Sequence, residues 1–299
     1  MTKHILLLLS FTLLCSGQDA VKTPKAPADD YLKYEYHTNF FSTQAKIRTI
    51  EEGFSLWMPR HNNLKQRVRE KPVDLLMIGD SIVFRWERQG KKVWEEFYGD
   101  RRAVQIGSSG DYTDHILWRL QNGGVAGASP KLTVLLIGTN NTGLRNDPPK
   151  ETAYGVEAIV KELKKRLPES KILLLGIFPR GNYEAANEAQ KKRLDKITNA
   201  NNAVNKIIKG YADEKTVFYR DYSKVFLNEK GHVDKALMPD FVHPGEAGFR
   251  VWAKAMEPFI KEHVDARQEA DPPKVKQGKI EGKEEGIGKT VYLSVDGMC

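Results

Sequence analysis

Apolar residues in this chain alternate between two rhythms. Five short, nearly continuous apolar runs occupy residues 73–78, 103–106, 132–137, 171–178 and 216–219. Runs of this length, bounded by turn residues, predict strands covered on both faces. Between and after them the apolar positions recur every three or four residues, which predicts helices. Residues 50–69 carry Phe54, Leu56, Trp57 and His61 in that way, and 113–120 carry Ile116 and Leu120 before Gly123-Gly124 stops the pattern. Residues 154–167 repeat it with Val156, Ile159, Val160, Leu163 and Leu167. Residues 185–211 follow with Leu194, Ile197, Val204, Ile207 and Ile208. After His243 a last helix presents Val251, Trp252, Ala255, Met256, Phe259 and Ile260, with Pro258 expected to kink or shorten it. Strands alternating with helices argue for an α/β protein whose parallel sheet is sandwiched by helices.

The two ends follow neither rhythm. Lys3, an apolar run over 5–14, and Cys15-Ser16-Gly17 read as an export signal over 1–17, cleaved after Gly17. The run is too short for a membrane span. Leu14 stands where lipid attachment at Cys15 would want a small residue, so a lipid anchor is the weaker alternative to a secreted or periplasmic chain. Residues 18–50 form a polar lead segment, with a Pro-containing linker near Pro24 and Pro27 and with Tyr31, Tyr34, Tyr36, Phe40 and Phe41 offering contacts to the body. The body is expected over 51–263. The Lys-, Glu- and Gly-rich remainder, 264–299, reads as a charged flexible tail that includes one short strand candidate over 290–295.

Composition narrows the function classes. The 299 residues are 40% hydrophobic and 29% charged, which suits one soluble core. The formal charge of +8 becomes +7 without Lys3, and its basic residues are scattered on helix faces. No nucleic-acid motif accompanies them. Cys15 and Cys299 are the two cysteines, so no internal disulfide and no cysteine–histidine metal cluster is expected.

Candidate chemistry sits where strands end. The first run closes on Gly79-Asp80-Ser81, which delivers Ser81 at the carboxyl end of a strand. A serine hydroxyl needs a base, and Asp240-Phe241-Val242-His243 supplies one. Asp240 can accept the His243 ring N–H, fix its tautomer and stabilise the imidazolium. Gly107-Ser108-Ser109-Gly110-Asp111 follows the second run and Gly138-Thr139-Asn140-Asn141 the third. The Ser81 backbone N–H and the Asn140 amide are candidate oxyanion donors, and the glycines of 107–111 let that loop's backbone approach a ligand. The other histidines are weaker candidates: His4 in the leader, His37 and His263 in flanking segments, His232 in a charged loop, and His61 and His115 in helices. Each loop alone is an ordinary strand-to-helix turn. All four in this order are a specific signal.

Over residues 57–262 the chain resembles the SGNH hydrolases (GDSL esterases), and within them the branch of platelet-activating-factor acetylhydrolase catalytic subunits. The four loops match that family's four blocks. Further likeness lies in Trp57-Met58, in 115–123 and in Phe178-Pro179-Arg180-Gly181. Ser108-Ser109 depart from the apolar residue and glycine often found there. The resemblance implies a flavodoxin-like three-layer α/β/α sandwich on a five-stranded parallel sheet, with no metal and no cofactor. It implies a Ser81-His243-Asp240 triad and an oxyanion hole of Ser81, Gly110 and Asn140. The expected function is an exported serine esterase acting on short acyl groups, acetyl first, carried by carbohydrate. A lysophospholipase or short-chain lipid esterase is the second enzyme reading, and a non-catalytic carbohydrate-binding module on the same fold is the alternative from another class. Arg180 is expected to anchor a loop, with substrate binding as the alternative. Acyl length, alcohol portion and oligomeric state are not written in the sequence.

Overall fold

In the computed structural model, residues 41–49 and 53–265 are described. The expected signal, the lead segment up to Phe40 and most of the tail lie outside them. In chain order the elements are α1 (Phe54–Arg69), β1 (Leu75–Gly79), α2 (Ser81–Phe84), α3 (Lys91–Tyr98), β2 (Ala103–Gln105) and α4 (Thr113–Gln121). Then come β3 (Leu132–Leu136), α5 (Pro149–Arg166), β4 (Lys171–Leu175), α6 (Glu188–Lys209), β5 (Val217–Arg220) and α7 (Glu246–Ile260). The five strands form one sheet in the order β2-β1-β3-β4-β5, every neighbouring pair parallel. This is the α/β sandwich expected from the sequence.

Strand side chains alternate between faces, so each strand feeds two cores. Leu76, Ile78, Leu135, Ile172, Leu174 and Val217 join one cluster, with Leu64 and Val68 of α1, Ile116 and Leu120 of α4, Val156 and Ile159 of α5, and Val204 and Ile208 of α6. Leu75, Met77, Val134, Leu136, Leu173, Leu175 and Phe218 join the other, with Val93 and Tyr98 of α3 and Phe249, Trp252, Met256 and Ile260 of α7. Apolarity on both faces is why the strands read as unbroken runs rather than alternating ones.

The boundaries differ from expectation in instructive ways. Helix α5 begins at Pro149, because proline fits a first-turn position whose N–H has no partner in any case. Helix α6 begins after Asn187, which accepts the Gln190 N–H at 3.0 Å while Gln190 reaches back to the Asn187 N–H. Pro258 does not end α7: the helix runs to Ile260 and on through a wider turn at Lys261–Asp265. Helix α3 had no counterpart among the expected elements. Val264 is fully buried and Asp265 pairs with Arg101 at 2.7 Å, so the packed body extends to residue 265.

The order places the site. The chain leaves β1 toward β2 on one side and returns to β3 on the other, so the sheet reverses its winding between β1 and β3. Ligands of such sheets bind outside the carboxyl ends of the strands at that reversal. Ser81 follows β1 and Asn140 follows β3, on either side of it.

Candidate active site

Strand β1 delivers Ser81 at the start of a one-turn helix. Asp80 is buried and caps α2, its Oδ1 accepting the Ile82 N–H at 2.9 Å. Burial pushes the Asp80 carboxyl up to about 7, against the Ile82 bond and with help from Asp111. Ser81, the next residue, is partly exposed.

The candidate base, His243, arrives from late in the chain. His243 Nε2 lies 2.8 Å from Ser81 Oγ, and His243 Nδ1 lies 2.8 Å from Asp240 Oδ2. With Nδ1–H donating to the carboxylate, Nε2 is left to accept the serine proton. The three-residue spacing works as a side-chain turn: Asp240 Oδ1 accepts the Val242 N–H at 3.1 Å and the His243 N–H at 2.7 Å. Phe241 at the turn has φ of 59°, an uncommon conformation for a bulky residue. Bonds from its N–H to Met238 O and from Gly181 N–H to its carbonyl, both 2.8 Å, hold it there.

Electrostatics suit a base. Burial lowers the His243 pKa below its ordinary 6.5; Asp240 opposes that shift, and Arg85 and Arg180 add to it. Asp240 is held below the usual carboxylate value. Its partial burial works the other way, but bonds from the His243 backbone, the His243 ring and Val242 outweigh it. The pair is therefore a neutral imidazole beside an ionised carboxylate near neutrality.

The second and third blocks close around the same strand end. Ser108 N–H donates to Gly79 O at 3.2 Å, extending the β1–β2 pairing past the end of β2. Gly107 is required there, because a Cβ would stand 2.2 Å from Phe84 N in α2. Gly110 has φ of +72°, which turns the loop back with little strain. The Asn140 amide donates one proton to Asp111 O at 2.9 Å, leaving its second for a ligand. The backbone N–H groups of Ser81 and Gly110 donate to no protein acceptor among the described residues.

Beneath this loop is a network the sequence reading left without roles. Asp111 is fully buried and accepts from Trp57 Nε1 at 2.7 Å and Arg119 Nε at 2.6 Å. Arg119 also donates to Ser108 Oγ at 2.8 Å. Arg48, from the segment before α1, donates to Ser109 O at 2.7 Å and to Asp111 Oδ1 at 3.3 Å. Arg180 behaves as the anchor expected of it, donating to Thr139 O at 3.1 Å and Thr139 Oγ1 at 3.2 Å. Asp111 precedes α4 while Arg119 lies on it, so no helical spacing in the sequence signalled that pair. Of the other histidines, His61 and His115 pack against Trp57, and His263 is buried against Phe218 and Phe259. A cavity of about 410 Å³ near the sheet edge, lined by Arg67, Trp86, Glu87, Trp94 and Gln105 among others, includes none of Ser81, Asp240 and His243.

Residues 77–251 match the GDSL-like lipase/acylhydrolase family. The chain belongs to that family. It is 31% identical over 219 residues to the human platelet-activating factor acetylhydrolase IB subunit alpha2, covering 73% of this chain and 89% of that protein. The bovine alpha1 subunit is 27% identical over 209 residues, with 70% and 84% covered. Among solved structures, one from Streptococcus pneumoniae named for platelet activating factor superposes with a TM-score of 0.55 at 24% identity, covering 71% of this chain and 98% of that one. A GDSL-like lipase from Bacteroides thetaiotaomicron gives 0.53 at 17%, with 70% and 98% covered. These two share the fold. As a member of the GDSL acylhydrolases, the protein is a carboxylic ester hydrolase.

Proposed function

We propose that this GDSL acylhydrolase is an exported serine esterase that removes short acyl groups, acetyl first, from carbohydrate, with Ser81, His243 and Asp240 as its triad. The observation that carries the catalytic assignment is the continuous hydrogen-bonded line from Ser81 Oγ through His243 to Asp240. Ser81 Oγ attacks the ester carbonyl carbon while His243 Nε2 takes its proton. The tetrahedral oxyanion is received by Ser81 N–H, Gly110 N–H and the free Asn140 amide proton. His243 then protonates the departing alcohol, and water, activated by the same ring, releases the acid from the acyl-serine.

The acetyl preference draws on the names of the curated relatives, which are acetylhydrolases. The same names favour a second reading, a short-chain lipid esterase. Export rests on the apolar leader at 1–17, and the carbohydrate substrate rests on export. Among the described residues no helix is long and apolar enough to cross a membrane. The test is hydrolysis of p-nitrophenyl acetate, butyrate and octanoate by wild type and Ser81→Ala, followed by acetylated xylan and a short-acyl phospholipid. Acetate-selective turnover lost in the variant, with acetate release from xylan, supports the whole reading. Release from the phospholipid alone transfers support to the second, and undiminished activity in Ser81→Ala overturns both.

A further inference from the structure

Asp240 is an unusual place to keep an orienting carboxylate, because its side chain is 46% exposed while the His243 ring it serves is only 17% exposed. A carboxylate in contact with water rotates and exchanges partners unless something fixes it. Two backbone N–H groups occupy Oδ1. Oδ2, the oxygen that faces the ring, has a second partner: Arg85 Nη1 at 3.2 Å.

Arg85 is not a remote residue. It closes α2, four residues after Ser81, and its own N–H donates to Ser81 O. Four residues is the spacing that puts two side chains on one helix face. The contacts therefore form a closed ring. Ser81 Oγ meets His243 Nε2, His243 Nδ1 meets Asp240 Oδ2, Arg85 meets the same oxygen, and the Arg85 backbone returns to Ser81. A ring of this kind ties the carboxylate on the late loop to the helix carrying the nucleophile, so the two halves of the triad share one frame.

We propose that Arg85 is a positioning residue of the triad, a cation on the nucleophile's own helix that holds the Asp240 carboxylate in line with the His243 ring. The inference rests on the triad reading above and adds a member to it. Arg180, the other cation facing His243 and Asp240, is already engaged with Thr139. Among the described residues Arg85 is the cation within pairing distance of Asp240.

The role has an electrostatic signature that plain packing lacks. The charged groups facing His243 are Asp240 on its own loop, Arg85 at the end of α2 and Arg180 after β4. Arg85 repels the imidazolium directly and also occupies part of the Asp240 charge that would stabilise it. Removing that cation must therefore raise the pKa of His243, and the acid limb of kcat/KM moves up with it.

The test is the pH profile of kcat/KM on p-nitrophenyl acetate for wild type, Arg85→Lys and Arg85→Gln, each also combined with Asp240→Asn. Arg85→Gln is expected to move the acid limb up by about half a pH unit, as one half-exposed charge at this range does. Its plateau should fall about threefold to tenfold through lost alignment. Arg85→Lys should return the limb toward wild type, and in the Asp240→Asn background the Arg85→Gln shift should shrink. Melting curves separate lost folding from lost alignment. An unmoved limb in folded Arg85→Gln, or an equal shift with and without Asp240, overturns the role. Inactivity of Ser81→Ala beside such a result would leave the triad standing and remove only Arg85 from it.

Discussion

Replacing Arg119 by methionine probes the foundation of the oxyanion loop. The Arg119 side chain is 3% exposed and that of Asp111 is fully buried. Methionine keeps the apolar stem and removes the donors at 2.6 Å to Asp111 Oδ2 and 2.8 Å to Ser108 Oγ. It also removes the guanidinium lying 4.0 Å over the Trp57 ring. Asp111 Oδ1 keeps Trp57 and Arg48, whereas Oδ2 is left with no donor among the described residues. Breaking a buried pair from one side costs about 3–5 kcal/mol, and the remaining Arg48 charge places this case near the lower figure, about 3 kcal/mol. For a body of this size that is a fall in melting temperature of about 6–12 °C. The assay is urea unfolding followed by tryptophan fluorescence, alongside kcat on p-nitrophenyl acetate. Because Asp111 O also accepts the Asn140 amide, kcat should fall while KM stays within about twofold, as expected when only transition-state contacts are lost. Adding Asp111→Asn removes the uncompensated charge and should recover about 1–2 kcal/mol. A loss below about 1 kcal/mol, or a double variant less stable than Arg119→Met, would refute the claim that this pair holds the loop.

Three further outcomes follow from the same geometry. Asn140→Ala should lower kcat about 10²–10³-fold on p-nitrophenyl acetate with little change in KM, since one oxyanion donor is removed. The acid limb of kcat/KM should lie below pH 6.5, because burial lowers the His243 pKa and the ring must be neutral to accept the serine proton; rates rise as pH climbs through that value, as a stopped-flow pH series would show. Gly107→Ala should cost about 1–3 kcal/mol in urea unfolding and depress activity further, because the new Cβ is forced against Phe84 N and displaces the helix bearing Ser81.

The fold was legible where burial is two-sided. Leu75 to Ile78 and Leu132 to Leu136 read as strands because both faces are covered, and Ser81, Asp240 and His243, which hydrogen bonds join in one line, stood out because they sit at a strand end and in a turn. Helix α3 was not legible: its eight residues place Val93, Trp94, Phe97 and Tyr98 among four charges, too short a window for a period to emerge. Strand β2 is only three residues, with Ala103 and Val104 half-buried at the sheet edge. The role of Arg85 depends on a partner 155 residues away along the chain, Asp240, and Asp111 meets Arg119 across the turn into α4 rather than at a helical spacing. Local spacing carries no record of such pairings. The Asp240–His243 contact is local, a side-chain turn, and so it could be read directly.

The central claim is that Ser81 Oγ becomes acylated. Its direct test is mass spectrometry of the protein quenched in acid during turnover of p-nitrophenyl acetate, with Ser81→Ala as the control. The account predicts a single acetyl group on the peptide containing Ser81, lost when His243 is replaced by alanine because acylation needs the same base, and no such adduct in the control. An acetyl group on another residue, or full turnover by Ser81→Ala with no adduct at all, would contradict it.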